Sequence, residues 1–250
     1  MTTVQTLAML GADRLEEEVS VRRHDLSGRA VLVTGGARGL GAGMAEALAE
    51  AGAAVVVADI RADLGRATAD ALRRRGAVAA FVRLDVTDDA SWEQAVAETI
   101  AELGGLDVVV NNAGVEISGL IADLDPADVR RMLEVNVLGT ALGLKHAFRA
   151  MRPGGPAGQG GTVVNIASVA ATVAFPGIAG YAATKSAVDR LTRVAAAEAG
   201  KLGYDVRVNC VYPGLVREVG GVADAVVFLA SDAARFVTGA GLPADAGLTT

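Results

Sequence analysis

Short runs of apolar, β-branched residues alternate along the chain with longer Ala-rich stretches of helical period, and this alternation predicts parallel strands joined by crossover helices. The predicted strands are 30–34, 54–59, 78–85, 106–111, 162–168, 206–212 and a short one near Leu242. Most are apolar throughout rather than alternating, as expected of strands covered by helices on both faces. Helices are predicted over 41–50, 62–75, 89–103, 126–151, 181–201 and 222–231, with Asp125 as an N-cap and Pro126 at the first helical position of the fourth. The pattern is that of a doubly wound parallel sheet in three α/β/α layers, with about seven strands. Residues 29–250 form one domain, and residues 1–28 are an N-terminal extension. Within the extension, Leu7, Leu10, Leu15 and Val19 have partial helical spacing. That reads equally as a helix packed on the body or on a neighbouring subunit, and as a frayed tail. The stretch 153–161, PGGPAGQGG, reads as a surface connector.

Composition narrows the class. With 52% hydrophobic and 21% charged residues, the 250-residue chain has the make-up of a compact globular domain. Its formal charge of −6 argues against general nucleic-acid binding, which needs a basic face. No apolar run approaches the roughly 20 residues of a membrane span. The single cysteine, Cys210, cannot form an internal disulfide, and nothing resembles a secretory leader, so the cytoplasm is the expected compartment.

The candidate chemistry begins after the first strand, at Thr34-Gly35-Gly36-Ala37-Arg38-Gly39-Leu40-Gly41. Glycines at a strand-to-helix turn let the backbone approach a pyrophosphate, whose charge the free amides and the helix dipole stabilise. Asp59 ends the second strand 18 residues beyond Gly41, the position from which an acid accepts hydrogen bonds from an adenine ribose and repels a 2′-phosphate. It therefore selects NAD over NADP, although Arg38 offers a guanidinium that could pair with that phosphate. Asn111-Asn112-Ala113-Gly114 closes the fourth strand and suits either a turn over which a flat ligand slides or a plain strand-end turn. Tyr181 and Lys185 lie four apart on one predicted helix face, 13 residues after Ser168. An ammonium beside a phenol favours the phenolate, as would a positive nicotinamide ring, so Tyr181 is expected to have its pKa drawn down toward working pH as a general acid/base.

In these motifs, taken in order over roughly residues 27–248, the chain resembles the short-chain dehydrogenase/reductase family in its single-domain form. The resemblance implies a Rossmann fold and a nicotinamide cofactor, here NAD, held by Gly35, Arg38, Gly39, Leu40, Gly41, Asp59, Asp85, Val86, Asn112, Ala113, Gly114, Pro213 and Gly214. It further implies that Ser168 holds the substrate oxygen, Tyr181 passes the proton, and Lys185 binds the nicotinamide ribose while tuning Tyr181. Asn136 would position a water that relays protons to Lys185. By chemistry alone Asn136 reads first as a helix-capping or core amide.

Three features depart from the family pattern. Only residues 215–219 separate Gly214 from Gly220, where the family carries a helical substrate lid. The expectation is that a lid segment belongs at this point of the polypeptide, the alternative being an open cleft with weak selectivity. The last strand reads Pro243-Ala244-Asp245-Ala246-Gly247, where the family more often has Asp-Gly-Gly, and the N-terminal extension is long. Elsewhere, Cys210 reads as an inert small hydrophobe, Trp92 as a packing residue, and Glu116 and Ser118 as solvated loop residues, a substrate contact being the other option. His24 and His146 suggest no metal site.

The leading expectation is an NAD-dependent oxidoreductase interconverting a cyclic or hydroxysteroid-like secondary alcohol and its ketone, without nucleic-acid or membrane partners, assembled as a homotetramer. The rivals are a 3-oxoacyl-acyl-carrier-protein-type reductase, against which Asp59 argues, and a dinucleotide-binding scaffold with little turnover.

Overall fold

A computed structural model describes residues 24–215 and 220–250. The helix expected around Leu7 to Val19 and most of the short segment where a lid is expected lie outside the described residues. Seven parallel strands form one sheet in the order β3-β2-β1-β4-β5-β6-β7. They are β1 Ala30–Thr34, β2 Ala54–Asp59, β3 Ala79–Arg83, β4 Val108–Asn111, β5 Gly161–Ile166, β6 Val206–Pro213 and β7 Gly241–Ala244. The helices are α1 Gly39–Glu50, α2 Ala62–Arg74, α3 Asp89–Leu103, α4 Pro126–Met132, α5 Gly139–Met151, α6 Ala179–Leu202 and α7 Gly220–Ala230.

Successive strand residues serve opposite faces. Val31, Val33, Val55 and Val57 bury into a core with Met44, Leu48, Leu72, Val226 and Leu229, beneath α1, α2 and α7. Leu32, Val56 and Val109 point the other way, into a core with Trp92, Leu144, Met151 and Ala195 beneath α3, α5 and α6. The three layers expected from unbroken apolar strands are thus present. Trp92 is the packing residue it was read to be, fully buried with its Nε1–H donating to the Val86 carbonyl at 3.0 Å.

Local signals bound the elements, the Asp125–Pro126 cap as predicted and the others seen only in the structure. Asp125 accepts from Ala127 N at 2.8 Å with Pro126 following it, Asp88 caps α3 by accepting from Ser91 N, and Gly104 and Gly203 end α3 and α6 at φ 78° and 66°. Among the described residues no helix is long and apolar enough to cross a membrane.

Two boundaries correct the sequence reading. The expected single helix over 126–151 is interrupted by a π-helical turn, Leu133–Leu138, which carries Asn136. Ser168 does not end β5, because the strand stops at Ile166 and Ser168 caps a short 3₁₀ turn, Val169–Ala171, its hydroxyl accepting from Ala170 N at 3.2 Å.

The order reverses between β1 and β4, both neighbours in the sheet, whose following chain segments depart in opposite directions. In an open parallel sheet this leaves a crevice at the carboxyl ends of the strands, where ligands bind. The loops after β1, β4, β5 and β6 all open there.

Candidate active site

Thr34, at the end of β1, and Asn112, just past β4, stitch the two loops of the crevice together. The Thr34 hydroxyl accepts from the backbone N–H of Asn112 and of Ala113, each at 3.0 Å. In return Asn112 Nδ2 donates to the Thr34 and Gly35 carbonyls at 2.9 and 3.2 Å. Gly35 adopts φ 62°, and an added Cβ there would lie 2.9 Å from Ala113 Cα. One at Gly41 would overlap the Gly35 carbonyl oxygen and sit 2.6 Å from Asn112 Nδ2. These two glycines therefore let the β1 loop, the start of α1 and the turn after β4 pack against one another, whereas a Cβ at Gly39, at φ 56°, would meet nothing within 4 Å.

The first turn of α1 has neither a capping side chain nor an acidic residue, so its leading N–H groups are left for an external anion. Asp59, nearly buried at the end of β2, accepts from Ala37 N at 3.1 Å through Oδ2 and from Arg61 N at 2.9 Å through Oδ1. A carboxylate has about four acceptor sites, so capacity remains for ribose hydroxyls. Arg38 is exposed on the same loop. Asp85 follows β3, its Oδ1 accepting from the Thr87 hydroxyl at 2.7 Å and the Thr87 N–H at 3.0 Å, which hold its pKa below the usual value. This turn ends β3 at Arg83, two residues before the expected Asp85. Amide donors, a glycine cradle and a ribose-facing acid together fit a nicotinamide dinucleotide.

At the other end of the crevice, α6 brings Tyr181 and Lys185 to one face. They line a cleft of about 530 Å³ together with Ser168, Asn112, Gly114 and Pro213. The Lys185 ammonium lies 5.6 Å from the centre of the Tyr181 ring and donates to the Ile166 carbonyl at 2.7 Å. Asn136 holds the turn after β4, with its Oδ1 accepting from Val115 N and its Nδ2 donating to Val115 O, both at 2.8 Å, and Nδ2 also reaching Thr184 Oγ1 at 3.0 Å. Its side-chain amide is thereby committed to protein partners. A Cβ at Gly114 would sit 3.3 Å from Asn136 Oδ1 and 3.5 Å from Lys185 Nζ, so this glycine lets the turn press against both.

The Tyr181 phenol departs from the expected direction. Burial pushes its pKa above the usual value, the Ser168 hydroxyl works the other way, and the Glu116 charge adds to the rise. Desolvation cannot be read from the spacing of a Tyr and a Lys, and here the lysine spends a hydrogen bond on Ile166. Burial likewise pushes the Lys185 ammonium down to about 8, against an opposing pull from Glu116. The unfolded chain would titrate this group near 10.5, so between about pH 8 and 10.5 it binds the extra proton and the folded state gains stability as pH rises. Lys185→Met removes the group. Its stability relative to the parent is expected to be most favourable near neutral pH and to lose on the order of 3 kcal/mol toward about pH 10. Denaturant unfolding of both proteins across that range checks this, and a pH-independent difference would contradict it.

Glu116, read as a solvated loop residue with a substrate contact as the other option, is exposed and also lines the cleft with Ser168 and Tyr181. Thr34 and Thr184 carried no assignment, and only their tertiary partners reveal them. Val86, whose carbonyl accepts from Trp92, packs where a Cβ at Gly139 would meet it at 2.9 Å. Gly214 packs on Asp245, whose Oδ1 accepts from Gly247 N and whose Oδ2 accepts from Thr249 N and Oγ1. The departure from Asp-Gly-Gly leaves Ala246 at φ 53°, a left-handed conformation that glycine adopts at lower cost. Cys210 is buried and its thiol pKa is raised by burial. Among the described residues no group of three or more His, Cys, Asp or Glu could hold a metal.

Comparison with known proteins agrees with this geometry. A family profile described as short chain dehydrogenase matches residues 29–223. The chain is 39% identical to trans-4-hydroxycyclohexanecarboxylate dehydrogenase of Sinomonas cyclohexanicum, covering 95% of each chain. It is 37% identical to 3-alpha-(or 20-beta)-hydroxysteroid dehydrogenase of Mycobacterium tuberculosis, covering 89% of this chain and 90% of the relative. The crystal structure of a short-chain type dehydrogenase/reductase from Mycobacterium marinum superposes with a TM-score of 0.86 at 32% identity, covering 90% of this chain and 97% of that one.

Proposed function

The chain belongs to the short-chain dehydrogenase family, enzymes acting on CH–OH groups, and from that premise we propose that it is an NAD-dependent dehydrogenase interconverting a cyclic secondary alcohol and its ketone, with Tyr181 as the general acid/base. The observation that carries the reading is the convergence of Ser168, Tyr181 and Lys185 on one cleft at the carboxyl edge of the sheet, beside the glycine cradle. The two relatives compared above are named for alcohols on a carbon ring, and this supports a cyclic substrate.

When bound, the dinucleotide supplies the hydride acceptor or donor. Gly35, Gly39, Leu40, Gly41 and Arg38 would hold its pyrophosphate end, Asp59 its adenine ribose, Asp85 and Val86 its adenine, and Asn112, Ala113, Gly114, Pro213 and Gly214 its nicotinamide half. The chain's own work is the proton. Ser168 donates to the substrate oxygen and holds it beside the Tyr181 hydroxyl, which accepts the alcohol proton during oxidation and returns one during reduction. Lys185 uses one of its three N–H donors on Ile166, leaving two for a ribose hydroxyl. Its charge stabilises the phenolate that forms. Asn136 positions Val115 and with it the Gly114 turn under the cleft. With its side-chain amide committed, a relay water would have to bond its backbone carbonyl, which already accepts from Thr140 Oγ1 at 2.8 Å.

NAD is expected to bind at least about tenfold more tightly than NADP, or about 1.4 kcal/mol, because the nearly buried Asp59 repels a 2′-phosphate. Titrations of both dinucleotides, followed by turnover of cyclic alcohols with each, test the proposal. Equal affinities would mean that Arg38, not Asp59, governs the site.

We propose a homotetramer on the grounds that the π-helical turn and α6 expose Leu133, Leu138 and Val194. Light scattering at micromolar concentration is expected to give the mass of four chains, and a monomer mass would contradict it.

A further inference from the structure

Glu116 is the one feature of the cleft that the proton chemistry above does not use. Of the described residues lining the cleft, only Glu116 and Lys185 carry charge, and the lysine is buried with its ammonium turned to the Ile166 carbonyl. The remaining walls are largely apolar, including Val169, Phe175, Pro176, Ile178 and Leu215. A substrate in this cleft therefore meets one accessible formal charge, and it is negative.

The backbone on either side of this exposed residue is held in place. The chain before it is fixed at Val115, whose N–H and carbonyl are both bonded to Asn136 at 2.8 Å. The chain after it is fixed at Gly119, whose N–H donates to the Gly177 carbonyl at 2.7 Å and which bridges to Ile178 on the segment leading into α6. Glu116 thus sits on a short span pinned at both ends, one end to the helix turn carrying Asn136 and the other to the approach to Tyr181. It acts electrostatically on Tyr181 and Lys185, favouring the protonated form of each. Its carboxylate is exposed at the cleft, and its oxygens only accept hydrogen bonds.

We propose that Glu116 sets the substrate class: the cleft takes a cyclic secondary alcohol bearing a second hydroxyl, which donates to Glu116 while the first meets Ser168 and Tyr181, and it rejects a ring alcohol bearing a carboxylate. This rests on the reading of the cleft as an alcohol dehydrogenase site. An anion placed where the second hydroxyl belongs faces like-charge repulsion and finds no accessible cation among the described residues of the lining to offset it. A neutral ring with no second donor leaves the exposed carboxylate to water.

The test compares a cyclohexanediol with the matching hydroxycyclohexanecarboxylate, in the parent protein and in Glu116→Gln. The ratio of their kcat/KM values cancels any general effect of the substitution on Tyr181. The parent is expected to favour the diol by at least about tenfold, and the glutamine variant, which keeps the size but not the charge, to lower that ratio by about tenfold or more. A parent ratio near one or below, or a ratio unmoved by Glu116→Gln, overturns the proposal. Calorimetric titration of both compounds into the NAD-loaded parent gives a readout independent of turnover. Tighter diol binding by about tenfold supports the assignment even if neither compound is oxidised, in which case the dehydrogenase reading alone fails. Equal or reversed binding overturns it.

Discussion

Tyr181→Phe is expected to lower turnover of a cyclic secondary alcohol by about 10² to 10⁴ while leaving dinucleotide affinity nearly intact. The substitution deletes one oxygen and keeps the ring, so the packing of α6 against the 3₁₀ turn after Ser168 is preserved. What is lost is the proton carrier. Ser168 still lines the cleft, but a serine hydroxyl is a poor base, and Lys185 Nζ, donating to Ile166, is an ammonium with no acceptor to offer. The residual rate measures what positioning alone supplies. Steady-state kinetics with a dinucleotide titration check the split, and a variant keeping half of the parent rate would show that the proton leaves by another route.

Gly41→Ala is expected to reduce kcat/KM by about a hundredfold, the scale of a misplacement near 1 Å, and to lower stability by about 1–3 kcal/mol. In an ordinary helix the same change stabilises by about 1 kcal/mol, so the sign itself is diagnostic. At Gly41 the added carbon meets the Gly35 carbonyl oxygen and the Asn112 amide, and neither can yield cheaply. Gly35 belongs to the turn that forms the cradle, and Asn112 is bonded to two carbonyls of the β1 loop. The loop must open, spoiling the surface proposed to hold the pyrophosphate. Gly200→Ala, in α6 with open space around it, is the control and is expected to follow the ordinary helix rule. Thermal unfolding and dinucleotide titration of both variants check the contrast. Unchanged affinity in Gly41→Ala would remove the β1–α1 loop from the binding site.

The strands were legible because a doubly covered sheet needs unbroken apolar runs, and Val31, Leu32 and Val33 are buried whichever face they serve. The caps at Asp125 and Pro126 were legible because they satisfy local hydrogen bonds. The π-helical turn was not, since no residue type announces a widened turn. It accompanies Asn136 bonding to Val115 and Thr184, partners 21 and 48 residues away in sequence. The end of β5 was misplaced for a related reason, because Ser168 belongs to the strand by composition and to the next turn by its own capping bond. Spacing brought Tyr181 and Lys185 to one face, and the fold adds what spacing cannot: burial raises one pKa and lowers the other. Glu116 was legible as a loop residue with a substrate contact as one option, and the bonds to Asn136 and Gly177 on either side of it place its segment at the cleft.

The central claim is that Ser168, Tyr181 and Lys185 serve oxidation of a ring alcohol by direct hydride transfer to NAD. The most direct measurement uses cyclohexanol or a cyclohexanediol deuterated at the carbinol carbon, with mass spectrometry of the dinucleotide after incubation with the protein. The account predicts reduced dinucleotide carrying the deuterium, formed in step with the ketone and nearly abolished in Tyr181→Phe. Reduced dinucleotide without the label, or no reduction with any ring alcohol and either dinucleotide, would contradict it.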